Sequence, residues 1–222
     1  MRPLPFTTLR IENGEPWFWE EHVERLRATA AVLALPLPTP QKLYASLPRV
    51  VGGSLRVRIT LQPDGTPHTD VEIYEPPEEP WTLKPVPVDS DRDVVRFKTT
   101  ARGLYEAAAD TLDGQQDALL VHHEGHLLET CIANVFFLLD GIWVTPPESR
   151  ALLPGIARAR ILERCETARE GDLTESEARA AEACCVSNAV LGVHPVGSIE
   201  GWSDYASPDL ARQLMDDLRI NL

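Results

Sequence analysis

Apolar and polar residues follow two different periods along this chain, and the switches between them predict its elements. Val23, Leu26, Ala30 and Leu33 recur at spacings of 3, 4 and 3, one stripe of a helix over residues 21–35 that Pro36 and Pro38 stop. The period then falls to two. Leu55, Val57, Ile59 and Leu61 share one face of a strand and Arg56, Arg58 and Thr60 the other, and Asp64-Gly65 turns the chain into a second strand ending near Tyr74. The run Glu75-Pro76-Pro77-Glu78-Glu79-Pro80 loses backbone donors at its prolines, carries charge and reads as a linker. Beyond it a strand starts at Trp81, and the apolar stretch from Val94 predicts a short strand ending at Phe97-Lys98. Thr99 or Thr100 is placed to cap a helix carrying Leu104, Tyr105 and Ala108.

After Asp117 the pattern is strand-rich. Strands are expected at 118–122, 127–130, 135–139 and 142–144, with turns at Glu124-Gly125 and Asp140-Gly141. Pro154-Gly155 opens a helix to about Cys165, Thr174 and Glu177 form a capping box, and 184–187 reads as a strand. Ser207-Pro208 starts a last helix with Leu210, Leu214 and Leu218 on one face. The sum is a mixed α+β chain with a small domain over 1–75, a linker at 76–80 and a larger domain over 81–222. No GxGxxG or Walker loop is present, which argues against a Rossmann or P-loop function.

Composition narrows the function. The 222 residues carry a formal net charge of −13, which argues against a nucleic-acid or anionic-membrane partner, since either needs a basic face. No apolar run reaches a membrane span, and the first five residues show no signal-peptide core. Cys131, Cys165, Cys184 and Cys185 fit neither a disulfide framework nor paired zinc spacing, so reduced thiols and a cytoplasmic location are expected. Lysine stands only at Lys42, Lys84 and Lys98, and the other 18 basic residues are arginine. Any lysine chemistry therefore has three candidates.

Lys42 and Lys84 read as solvated. Lys98 closes an apolar stretch, where desolvation would lower its pKa and free its lone pair for attack on a carbonyl. A strand-end lysine pointing to water fits the same pattern. Glu129 ends a strand before a small-residue turn and Asn134, and could aim a carboxylate into a cavity or lie on the surface. Pro154-Gly155 exposes backbone N–H groups at a helix start, an arrangement suited to a phosphate. Ser187-Asn188-Ala189 could supply a second set of donors. His22 and Arg25, at i and i+3, project from one flank of the first helix.

Four blocks in this order resemble the class IV aminotransferase family, the fold-type-IV pyridoxal-phosphate enzymes. They are Phe6-Thr7-Thr8-Leu9-Arg10 with His22-x-x-Arg25-Leu26, then Lys98-Thr99-Thr100-x-Arg102, then residues 129–136, then Leu153-Pro154-Gly155-Ile156-x-Arg158 with Asn188-Ala189. The resemblance implies a two-domain D-amino-acid-aminotransferase-like fold with a trimmed N-terminal domain, since family members usually begin with an extra strand. It implies that Lys98 holds the cofactor covalently and shuttles protons, that Glu129 partners the pyridine nitrogen, and that Arg25 binds the phosphate. Asn134, Gly155, Ile156, Ala157, Ser187, Asn188 and Ala189 complete the implied cofactor site, with Ala157 standing where many relatives carry Thr.

Proton loss to the lysine, followed by reprotonation, gives transamination; expulsion of a substituent gives elimination. The Thr-Thr-x-Arg block and the 129–134 run resemble aminodeoxychorismate lyase, which forms 4-aminobenzoate and pyruvate. A branched-chain or D-amino-acid aminotransferase is the alternative. The substrate is then aminodeoxychorismate or an amino acid, with Thr8, Arg58 and Arg102 as candidate contacts and Arg56, Arg96 and His194 as other cations. The resemblance also implies a homodimer.

Two rivals stand beside this reading. His122-His123-Glu124-Gly125-His126 is rich in metal-ligand types, but a hairpin turn explains it, because neighbours on a strand face opposite ways. A non-enzymatic binding protein on the same fold would have no need of Lys98 and Glu129.

Overall fold

The structure, a computed structural model, describes residues 2–49, 52–90 and 95–219. The chain divides into two compact units. The first comprises Met1–Pro76 with Phe97–Arg102, and the second Pro77–Arg96 with Gly103–Asn221.

The first unit holds strands β1 (Phe6–Glu12), β2 (Glu15–Pro16), β3 (Ser54–Leu61) and β4 (Pro67–Ile73) in an antiparallel sheet of order β2-β1-β3-β4. Helix α1 (Trp19–Val32) lies over one face, and α2 (Pro40–Ala45) follows it. The alternation read in the sequence decides which face is covered. Val57, Ile59 and Leu61 of β3 pack with Leu9 and Ile11 of β1 against Val23, Leu26 and Ala30 of α1. The period of two puts Thr7 on this covered face, one step before Leu9. Phe6, Thr8 and Arg10 take the other face, where Thr8 pairs with Arg58 and Arg10 with Arg56. Helix α1 begins two residues before the expected start, after Phe18 at φ 53°, and ends before Ala34 at φ 50°. At the turn before β4, a Cβ on Gly65 (φ 81°) would come within 2.7 Å of the Pro36 carbonyl oxygen, so only glycine fits.

The apolar stretch before Lys98 does not end as a strand. Val94 lies outside the described residues, and Lys98 itself is in a non-strand segment. That segment pairs with the start of the chain instead. Phe6 N–H donates to the Lys98 carbonyl (3.0 Å), Thr100 N–H to Leu4 O (2.9 Å), and Pro5 bridges Thr99. This pairing places Lys98 in the first unit, whereas the linker at 76–80 had suggested the larger domain. The Thr hydroxyls are used within the same segment. Thr100 Oγ1 accepts from Leu4 N–H and Thr99 Oγ1 from Ala101 N–H, so neither is the expected helix cap.

The second unit holds a mixed sheet of β5 (Trp81–Val88), β6 (Asp117–His122), β7 (Leu127–Thr130), β8 (Asn134–Leu139), β9 (Ile142–Thr145), β10 (Ala168–Glu170), β11 (Ala183–Asn188) and β12 (Gly192–Ile199). Their order is β10-β9-β8-β11-β12-β5-β6-β7, and β13 (Ser203–Asp204) pairs β12. Its helices are α3 (Gly103–Ala109), α4 (Ile156–Arg164), α5 (Glu175–Ala180) and α6 (Pro208–Arg219). β5 and β6 run parallel, joined by a crossover containing α3. Both faces of β6 are covered, by a cluster holding Leu119, Val135 and Phe137 on one side and one holding Ala118, Leu120 and Tyr105 on the other. That double burial explains its unbroken apolar run. Asp140 and Gly141, both at positive φ, make the expected β8–β9 turn, and the Thr174–Glu177 capping box is present at α5. Leu214 of α6 is buried; the side chain of Leu218 lies outside the described residues. Among the described residues no helix is long and apolar enough to cross a membrane.

Candidate active site

The residues singled out in the sequence fall into two sets, one in each unit. In the first unit, Thr7 joins two side chains of α1. Its Oγ1 lies 2.6 Å from His22 Nδ1 and 2.7 Å from Arg25 Nη2, and that guanidinium nitrogen is 3.4 Å from the same Nδ1. His22 is fully buried and Arg25 half-buried, and neither His22 Nε2 nor Arg25 Nε has a hydrogen-bond partner. Burial, then the charges of Arg25 and Lys98, push His22 well below the usual histidine range. Burial pulls Arg25 down to about 10. A guanidinium paying that cost with an enclosed N–H to spare is suited to an anion. Thr7 is the member of this group that the motif reading missed; the alternation Thr7, Leu9, Ile11 beneath a helix stripe was the available signal.

On the other face of β1, two cations approach one ring. The Arg58 guanidinium carbon is 3.9 Å and Lys98 Nζ 4.9 Å from the Phe6 ring centre. Arg58 is held below the usual arginine range by burial, then by Arg102 and Arg56, with Asp70 opposing. Arg56 is committed to Glu72 at 2.6 Å, a solvated pair on the sheet. Of the expected carboxylate-binding cations, Arg58 and Arg102 are thus neighbours, and Arg56 is engaged elsewhere. The Lys84 amine donates to Thr111 O, a surface contact, as expected.

In the second unit, Glu129, one residue before the end of β7, is a buried carboxylate. Its Oε1 accepts from the Tyr105 hydroxyl (2.7 Å) and Leu153 N–H (3.0 Å), and its Oε2 from Asn134 Nδ2 (3.1 Å). Asn134 Nδ2 also reaches Leu153 O at 3.0 Å. The Glu129, Asn134 and Leu153 blocks of the sequence are therefore one hydrogen-bonded group. Gly155 is part of it, because a Cβ there would stand 1.9 Å from Asn134 Oδ1. Gly155 is the N-cap of α4, so Pro154 precedes the helix rather than forming its first turn, and the N–H groups of Ile156 and Ala157 lie in the first turn, which has no internal acceptors. Arg158 points inward to Pro146 O (2.8 Å), Glu170 (2.5 Å) and Glu148 (3.4 Å), a structural role.

Asn188 is occupied by the fold. Its Oδ1 accepts from Val190 and Leu191 N–H, both at 2.8 Å, and its Nδ2 donates to Ile132 O. Ser187 Oγ beside it is buried without a partner. Asp117, which the sequence reading passed over, ties β6 to the turn after Glu129. It accepts from Ala118 N–H (2.8 Å), Cys131 N–H and Ile132 N–H (3.2 Å each), while burial raises its pKa. His194 Nε2 donates to Glu79 O (2.9 Å) and the ring packs on Trp81, which removes it from the substrate candidates. The histidine turn also differs from expectation. His122 ends β6, so His123 escapes the pleat, and the two rings lie 4.1 Å apart. Ligand atoms of Asp89, His122 and His123 fall within 4.8 Å of one another, with Asp89 and His123 exposed.

The model of the family described as amino-transferase class IV matches residues 5–199. A Schizosaccharomyces pombe protein provisionally named aminodeoxychorismate lyase is 30% identical over 164 residues, 69% of this chain and 71% of that one. The D-alanine aminotransferase of Listeria monocytogenes serotype 4b (strain F2365) is 26% identical over 225 residues, covering 88% of this chain and 78% of that one. A Legionella pneumophila crystal structure, provisionally named 4-amino-4-deoxychorismate lyase, superposes with a TM-score of 0.84 at 23% identity, covering 97% of this chain and 90% of that one. With the same fold, and the family's blocks standing in order on the elements described, this chain belongs to the class IV aminotransferase family of pyridoxal-phosphate-dependent enzymes.

Proposed function

We propose that the protein is an aminodeoxychorismate lyase, releasing 4-aminobenzoate and pyruvate. The observation that carries this choice is a pair of half-buried arginines: Arg58, opposite Thr8 on the sheet, and Arg102, whose charge acts on it. A substrate with two carboxylates suits two fixed guanidinium groups better than a simple amino acid with one. The identity to the Schizosaccharomyces pombe relative supports the same choice. An amino-acid aminotransferase is the second reading, favoured by the greater share of the chain that matches the Listeria D-alanine aminotransferase.

The residues present fit pyridoxal phosphate. Arg25 offers a cation with an enclosed, unpartnered N–H, and Ser187 a buried hydroxyl without a partner. Arg25, the first-turn N–H groups of Ile156 and Ala157, and the Ser187–Ala189 segment would hold the phosphate. Glu129, which accepts from the Tyr105 hydroxyl, the Leu153 N–H and Asn134 Nδ2, would hold a proton at the ring nitrogen, with Tyr105 and Asn134 fixing its position. Lys98 would carry the covalent bond and move protons, while Thr8, Arg58 and Arg102 orient the substrate carboxylates. When bound, the cofactor supplies an electron sink for the bond broken at the substrate's amine-bearing carbon.

Purified protein is expected to form 4-aminobenzoate and pyruvate from aminodeoxychorismate. Keto-acid formation from an amino-acid panel, with no 4-aminobenzoate, would replace the lyase with the transaminase. A homodimer is part of this proposal and is read by sedimentation. So is a cytoplasmic location, which the four buried, free cysteines support.

A further inference from the structure

The proton inventory around Thr7 fixes the state of a histidine. A guanidinium has donors only, so Arg25 Nη2 donates to Thr7 Oγ1 at 2.7 Å. The hydroxyl proton of Thr7 is then available to its other neighbour, His22 Nδ1, at 2.6 Å. Nδ1 also lies 3.4 Å from the same guanidinium nitrogen, which can only donate. A hydrogen on Nδ1 would meet the guanidinium hydrogens and leave the Thr7 proton without either acceptor. Nδ1 therefore carries the lone pair, and the single ring proton sits on Nε2, which is buried and unpartnered.

The charged groups around the ring act in the same direction. Arg25 faces it from α1 and Lys98 from the Phe97–Arg102 segment, while β1 contributes the non-ionisable Thr7. A third positive charge on His22 would be repelled by both cations and would turn Nδ1 from acceptor to donor, breaking its bond from Thr7.

We propose that His22 is a positioning residue: as the neutral Nε2–H tautomer it accepts a hydrogen bond from the Thr7 hydroxyl at Nδ1, holds the Thr7 oxygen as a fixed acceptor for Arg25, and so presets the guanidinium for an anion. That the anion is the cofactor phosphate rests on the function proposed above. Three variants of the full chain separate this role from simple packing. His22→Asn puts an amide oxygen near the Nδ1 position and keeps an acceptor; His22→Leu fills space without one; Thr7→Val removes the relay.

His22→Leu and Thr7→Val should each weaken pyridoxal phosphate binding about tenfold, as expected for a lost buried hydrogen bond. Binding of pyridoxal, which lacks the phosphate, should be unchanged. His22→Asn should recover most of the loss. Nitrogen-15 spectra of the full wild-type chain should show the Nε2–H tautomer from pH 6 to 8. An Nδ1–H tautomer or an imidazolium in that range overturns the proposal even if the variants fail to fold. So does His22→Asn binding as weakly as His22→Leu, or equal losses for pyridoxal and its phosphate. A wild type that binds neither compound defeats the proposed function instead, and the tautomer is still read from the same sample.

Discussion

The Arg58 guanidinium stacks on the ring of Phe6, 3.9 Å from its centre, on the sheet face that also carries Thr8. The ring thus sets where the arginine's charge stands. Phe6→Leu should release it, raising KM for the dicarboxylate substrate by roughly threefold to tenfold, the worth of an exposed to half-buried cation–π contact. Steady-state kinetics check this. A fall in kcat of the same size would show that the nearby Lys98 amine, 4.9 Å from the ring, is affected as well.

Lys98→Ala should give a colourless protein that forms no borohydride-stable adduct. In the wild type, reduction followed by peptide mapping should place the cofactor on Lys98, with only Lys42, Lys84 and the N-terminus as competing amines. A label on either other lysine would remove Lys98 from the mechanism.

Gly155→Ala is allowed by its backbone, since φ is −74°, but its Cβ would stand 1.9 Å from Asn134 Oδ1. The asparagine must move and release Glu129 Oε2 and Leu153 O. A stability loss of about 1–3 kcal/mol is expected. Denaturation of Gly155→Ala, Asn134→Ala and the double variant should be non-additive, the pair costing less than the sum.

Acid should act through Arg158. Burial alone would raise the pKa of Glu170, but the Arg158 hydrogen bond, the Glu148 N–H and the Arg158 charge outweigh it and lower the value. A depressed carboxylate contributes stability above its unfolded pKa and loses it as pH falls through the lowered folded value. Glu170 is 41% exposed, so screening by solvent holds its worth to about 1 kcal/mol. Glu170→Gln should be less stable than wild type at pH 7, and urea midpoints of the two should converge below about pH 4.

The elements legible in the sequence were those with local causes. The β3 alternation, the α1 stripe, the Asp140-Gly141 turn and the Thr174 capping box each lie within a few residues of what produces them. What escaped the sequence depends on distant partners. Lys98 lost its expected strand because its carbonyl bonds to Phe6 N–H, far away in the chain. Asp117 drew no notice in the sequence, yet it holds the Cys131–Ile132 backbone. His122 and His123 met because the strand stops between them, and an alternation rule has no way to mark that end. Glu129 and Asn134 were found together as a motif, while Tyr105, which completes their group, carried no signal beyond its place in an apolar stripe.

The pairing of Leu4, Pro5 and Phe6 with residues 98–100 also bears on synthesis. Protein chains emerge from the ribosome N-terminus first. This N-terminal unit cannot be finished when its sheet has emerged, because its last segment follows 20 intervening residues, 77–96, that belong to the other unit. A fragment cut at Pro76 would lack that segment and should be less stable than the unit in the whole chain. Lys98 therefore arrives late, as part of the segment that closes its own unit, so that its surroundings are complete only once its amine is in place.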